Sequence, residues 1–98
     1  MHARIGRVAF SPDSADDLVS RLREQTVPRL QQAEGFKGFT VLLDRSNGVG
    51  LGITFWETEQ AMRASENLGE EARRGAAEAG SGRDEGATHY EVVIDTMA

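Results

Sequence analysis

The side chains of this 98-residue chain that could do chemistry are few, and each has a plainer structural use. Two imidazoles, His2 and His89, titrate near neutrality and are candidate general bases. His2 and Arg4 are two residues apart, on one face of any strand through them, and together could hold an anion or a phenolate. A terminal strand with a snorkelling Arg is the duller account. Trp56, the only tryptophan, could stack on a flat ligand, although an indole at a sheet end more often anchors an interface. His89 and Tyr90 fall on opposite faces of one strand, so both cannot serve one pocket. If Tyr90 is core, His89 joins Glu91 and Val93 on the other face, a solvated edge next to a glycine-rich loop. Thr40 and Thr54 would add hydroxyls on the face that carries Trp56. Asn47 sits in a turn, where its amide is better used for turn chemistry.

Other chemistries lack their residues. The chain has no cysteine, which removes disulfides, thiolate nucleophiles and Cys-based metal or cluster ligation. The acids Glu59, Glu66, Glu70, Glu71 and Glu78 mimic a carboxylate cluster, but Glu59–Arg63 and Glu70–Arg74 are four-residue helix pairs typical of a solvated face. No Asp/Glu/His group has metal-ligand spacing, and no glycine-rich segment joins a strand to a helix as a phosphate cradle would. Neither a metal nor a cofactor is expected. A net charge of −5 and a pI near 4.9 disfavour nucleic acid as a partner. The N-terminus lacks the apolar run of a signal peptide and no stretch has membrane-spanning length, so a cytoplasmic domain without a membrane partner is expected.

The elements that must position these residues centre on Gly35–Glu57, which reads as a β-hairpin around Arg45-Ser46-Asn47-Gly48. A two-residue Asn47-Gly48 loop would pair Leu42 with Ile53 and mix apolar with polar partners. A three-residue loop, Ser46-Asn47-Gly48, pairs Leu43 with Leu51, Val41 with Ile53 and Phe39 with Phe55. This second register puts six large apolar side chains on one face, with Gly48 at a left-handed bulge, and is the one expected. The reverse face then carries Gly38, Thr40, Leu42, Gly50, Gly52, Thr54 and Trp56. Alternating Gly48, Gly50 and Gly52 would allow close approach of another chain or a ligand.

Around the hairpin, a first strand spans His2 to Phe10. A helix capped by Ser14 runs to about Ala33, kinked near Thr26–Val27 by Pro28 and stopped by Gly35. A second helix, capped by Thr58, runs from Glu59 to about Ala79 on an inner stripe of Ala61, Ser65, Leu68, Ala72, Ala76 and Ala79. Gly80–Gly86 reads as a loop, and a last strand covers Thr88 to Met97. The order β-α-β-β-α-β, one domain over residues 1–98, gives an α+β, ferredoxin-like, four-stranded antiparallel sheet with both helices on one face. The lean sheet face would be bare in a monomer, so a two-fold homodimer through stacked sheets is expected.

Gly35-Phe36 opening the second strand, and Trp56-Glu57 closing the third just before a helix, make the chain resemble the antibiotic-biosynthesis-monooxygenase type of domain in the dimeric α+β barrel superfamily. Met1-His2-Ala3-Arg4, Val27-Pro28, Gly35-Phe36-Lys37-Gly38 and Trp56 to Ser65 resemble small actinobacterial members. The resemblance implies a cofactor-independent monooxygenase acting on a small aromatic or polyketide-like molecule. Trp56 would be a pocket wall and Arg4 or His89 a polar partner; Thr40 and Thr54 are further ligand-binding candidates. The alternative is a non-catalytic dimeric module that binds a small ligand or associates. Haem-degrading members place an Asn on the first strand and, on the second helix, a Trp followed ten positions later by the iron-binding His. Counted from the shared strand-end Trp, those helix positions hold Ser65 and Gly75, and the first strand has no Asn, so haem degradation is not expected.

Overall fold

The computed structural model describes residues 1–97. Strand β1 (His2–Ala9) is followed by a 3-10 turn (Pro12–Ser14), helix α1 (Ala15–Arg21), a π turn (Leu22–Thr26) and helix α2 (Val27–Gln31). Strands β2 (Phe36–Asp44) and β3 (Val49–Trp56), helices α3 (Glu59–Ala64) and α4 (Glu66–Ala79), and strand β4 (Arg83–Glu91) complete the order. The antiparallel sheet runs β2-β3-β1-β4, with the helices on one face, the ferredoxin-like α+β arrangement that was expected.

The hairpin register differs from the expected one. Asp44 pairs with Val49, Leu42 with Leu51 and Thr40 with Ile53, so the loop has four residues, Arg45–Gly48. The cause is Asp44. Its carboxylate accepts from the Asn47 backbone N–H (3.2 Å), the Asn47 side-chain amide (2.8 Å) and the Ser46 hydroxyl (3.3 Å). Those bonds, those to Asn47 above all, hold its carboxyl below the usual carboxylate range. Its carbonyl accepts from Gly48 N–H at 2.9 Å, closing a wider turn than the three-residue loop. One extra loop residue flips the parity of β3. Phe39, Val41 and Leu43 do lie under the helices, but Leu51, Ile53 and Phe55 face the other way, and Gly50, Gly52, Thr54 and Trp56 face the helices.

Other departures have equally local causes. The helix expected over Glu59–Ala79 is broken at Ser65, whose hydroxyl donates to the Met62 carbonyl at 2.6 Å. Ser14 caps nothing; its hydroxyl meets that of Ser81 instead. The expected loop at Gly80–Gly86 is partly strand, because Gly86, at φ +88°, absorbs a bulge opposite Arg7 and lets β4 start at Arg83. That strand ends at Glu91, short of Met97, and Tyr90 is half exposed rather than core. Pro28 acts as expected: the backbone N–H of Val27 reaches back five residues to the Leu22 carbonyl, which makes the π turn. Thr58 caps α3, accepting from the Ala61 N–H at 3.0 Å.

Two apolar clusters fill the space between layers. One joins Val8, Phe10, Leu18, Leu22 and Ala76; the other joins Leu30, Trp56 and Met62, and Phe39 touches both. Gly48 fixes the hairpin to the end of β1. Its φ is +68°, its carbonyl accepts from Phe10 N–H at 2.8 Å, and a Cβ there would lie 2.2 Å from the Phe10 oxygen. Gly48→Ala is expected to cost about 2 kcal/mol or more, read from urea unfolding midpoints. An unchanged midpoint would mean that the turn does not set the register.

Candidate functional site

The parity of β3 creates the site. On the helical face, Gly6 of β1 pairs with Gly52 of β3, and Gly50 stands opposite Val8. Three adjacent positions therefore lack side chains, leaving a depression in the sheet between the two apolar clusters. Above it lie Leu22 and Thr26 of the π turn, and Gly69, Ala72 and Arg73 of α4. The result is a cavity of about 60 Å³, walled by Leu18, Leu30, Phe39 and Val41 and touched by Arg4, Thr26, Thr54 and Arg73. The π turn matters because it brings both Leu22 and Thr26 inward, where they are buried.

Arg4 is the dominant charge at one end. It is 4 % exposed, so it does not snorkel. Its guanidinium donates to the Met62 carbonyl (2.6 Å), the Ser65 hydroxyl (3.1 Å) and the Ser65 carbonyl (3.5 Å), and lies 3.6 Å from Glu66. These acceptors sit where α3 ends, and helix ends leave carbonyls without partners. Burial lowers the affinity of Arg4 for its proton; Glu66 opposes that shift and Arg73 adds to it. Gly69 gives the guanidinium room, since a Cβ there would stand 2.7 Å from Nη1.

His89 is half-buried beside this group rather than at a solvated edge. Its Nε2 is 2.7 Å from Glu66 Oε1 and 3.4 Å from Arg4 Nε. The shorter contact assigns the Nε2 proton to a bond with Glu66, and the longer one is then mere proximity. Thr54 pairs with Arg4 across β1 and β3 and faces the cavity, where its buried hydroxyl has no partner among the described residues. Trp56 closes no sheet-face interface. It is wholly buried under the helices against Leu30 and Met62, edge-on to Phe36 at 5.7 Å. The bulge at Lys37 returns Phe36 to that face. Thr40 belongs to the opposite face, paired with Ile53, and is separated from the other four candidates by the sheet.

Of the residues expected from sequence, Arg4 and Thr54 line the cavity and His89 and Trp56 do not, while Thr26 and Arg73 line it without having been expected. Spacing offered one signal for Thr26: it stands four residues after Leu22, at the point where Pro28 should kink the helix. Arg73 had none, since its partner Asp84 (2.9 Å) lay in the supposed loop. The positions that hold the haem-degrading residues in the resemblance do not fit that cofactor. The Ser65 hydroxyl is committed to Met62 and Arg4, and Gly75 packs toward Arg21 with no side chain to ligate iron.

If Arg4 holds the α3 end in place, Arg4→Met should cost about 3 kcal/mol, because it strands buried carbonyls. Glu66→Gln, on the exposed side, should cost less than about 1 kcal/mol. Chemical denaturation of both variants checks this; equal small losses would refute the capping role.

An uncharacterized protein of Mycobacterium tuberculosis is 36 % identical over 65 residues, 66 % of this chain, and the chain spans about 28 % of that relative's length. Among solved structures, a Streptomyces coelicolor monooxygenase from the gene ActVA-Orf6, in complex with the ligand nanaomycin D, superposes with a TM-score of 0.74. It is 16 % identical, with 99 % of this chain and 91 % of that one covered. The heme-degrader MhuD of Mycobacterium tuberculosis, with two hemes bound, superposes at 0.69 and 21 % identity, with 99 % and 100 % covered. Identities this low speak for the fold alone. The model of the family described as antibiotic biosynthesis monooxygenase matches residues 1–77, and the chain belongs to that family.

Proposed function

We propose that the chain is a cofactor-independent, monooxygenase-like protein that takes a small aromatic or polyketide-like molecule into the cavity between sheet and helices. Family membership supports the reaction class. The observation that carries the location is the glycine-floored, mostly apolar cavity with the unpartnered Thr54 hydroxyl facing it. At about 60 Å³ the space takes a flat ring only if Phe39 gives way over Gly52, and a single hydrogen-bonding group would then fix the ring's orientation.

The cavity lining contains no carboxylate, imidazole or phenol among the described residues. A substrate must therefore supply its own acidity, with Arg4 and Arg73 favouring the anion of a phenol or enol. The ring carbon then adds dioxygen, and loss of water from the resulting peroxide leaves a ketone. One oxygen atom stays on the ring and the other leaves as water. Thr54 would hold the substrate oxygen and Phe39 would cover the ring. The second reading, a dimeric module that binds a ligand without turnover, draws on one observation: both terminal nitrogens of the Arg4 guanidinium already donate to protein acceptors.

The homodimer belongs to this proposal too. Ile5, Leu42, Leu51, Ile53, Phe55 and Tyr90 share the sheet face away from the helices, with Leu42 and Tyr90 about half exposed. This apolar face, richer than the lean one expected, is what a second copy would cover.

Oxygen uptake with an anthrone-like phenol is expected above the buffer rate, and Gly52→Val, which fills the cavity floor, should lower it at least about tenfold. Uptake that stays at the buffer rate, while calorimetry still shows the phenol bound, would leave the binding-module reading standing. Sedimentation should give a dimer at micromolar concentration, and Ile53→Asp, which places a charge on the covered face, should give a monomer. A monomeric parent chain would overturn the dimer.

A further inference from the structure

A second concavity opens beside the cavity, along the edge of the sheet. Its volume is about 390 Å³, and α1, the π turn, α2 and β2 line it. Leu22, Phe39, Val41 and Leu43 line both spaces, so they form the partition between them. The walls of the groove are apolar, but two guanidinium groups, Arg23 and Arg45, also line it. Both residues are exposed in a chain whose net charge is −5. Arg23 makes no ion pair among the described residues, and Arg45 is held only by Asp16 at 3.1 Å, a pair 60 % and 90 % exposed. An ion pair that open to water is weak and readily exchanged.

We infer that this groove binds an amphipathic carboxylate, with the flat apolar body against Leu22, Val27 and Phe39 and the carboxylate between Arg23 and Arg45. Charge complementarity selects the occupant. Two cations beside an apolar slot favour a ligand that carries one anionic end, while the overall negative charge repels anions elsewhere. The inference rests on the cavity reading above and deepens it: a ligand in the groove lies one side-chain layer, Leu22 and Phe39, from the glycine floor. The substrate class becomes an aromatic acid that passes from groove to cavity when that partition moves.

The test measures binding of 2-naphthoic acid and of its neutral counterpart, 2-naphthalenemethanol, to the full chain by calorimetry at low salt. The acid should bind about tenfold more tightly than the alcohol, and the preference should fall as salt rises. The double variant Arg23→Gln/Arg45→Gln should abolish the preference, and Arg83→Gln, on the opposite sheet edge, should keep it. Leu22→Trp should weaken both ligands; circular dichroism shows whether it folds, and the surface double variant decides the matter if it does not. Equal binding of acid and alcohol, a preference indifferent to the double variant, or no binding of the acid would each overturn the inference. Naphthoate binding without any phenol oxidation would sink the oxygenase reading and leave the groove. Phenol oxidation without a charge preference would do the reverse.

Discussion

Gly48 lies against the backbone of Phe10, with its N–H on the Asp44 carbonyl and its own carbonyl on the Phe10 N–H. That junction makes the β2–β3 loop four residues long, and loop length decides which side of β3 faces the helices. With the expected three-residue loop, Leu51, Ile53 and Phe55 would fill the interior and no depression would exist. The longer loop sends Gly50, Gly52 and Thr54 inward, and Gly6 of β1 falls beside Gly52. Cavity and outer apolar face are two consequences of one turn. Emptying the inner face of bulk necessarily loads the outer face with it.

Arg4 shows how a buried charge can be spent on structure. Isolating a guanidinium from water is costly unless its donors find acceptors. The break between α3 and α4 supplies them as helix-terminal carbonyls, and Ser65 joins the same group. The arginine and the break therefore stabilise each other, and α4 is fixed at an angle that carries Gly69 and Arg73 over the cavity. The Glu66–His89 contact closes the set toward solvent, tying β4 to the start of α4.

Element order, sheet type and the helical layer were legible because alternation, caps and the Pro28 distortion are local signals. The odd positions of β2 were read correctly for the same reason. The β3 parity was not, since it depends on a single side chain, Asp44, whose bonds to Ser46 and Asn47 lengthen the loop. The helix break at Ser65 escaped as well. It is satisfied by Arg4, 61 residues away, and no window of sequence contains both. Four of the five candidate side chains share the helical face, yet the glycines that make the site were read only as clearance. Absent side chains announce a cavity only once the register is known.

Phe39 then becomes the side chain on which access turns. It belongs to both apolar clusters, its ring stands 3.5 Å from where a Gly52 Cβ would be, and it lines both cavity and groove. The ring covers Gly52, with Arg73 over Gly6 and Leu43 over Gly50, and about 60 Å³ is far below the several hundred that a ring system fills. Under the proposal, a ligand entering from the groove would take the place of that ring against Gly52. Apolar area lost by Phe39 is then regained by the ligand, so the exchange costs little in burial. Dispersion contacts are likewise traded rather than lost. At Gly52 the floor presents backbone alone and so would suit either ring, and β2, which carries Phe39, is an edge strand among the described residues, bonded to β3 on one side only.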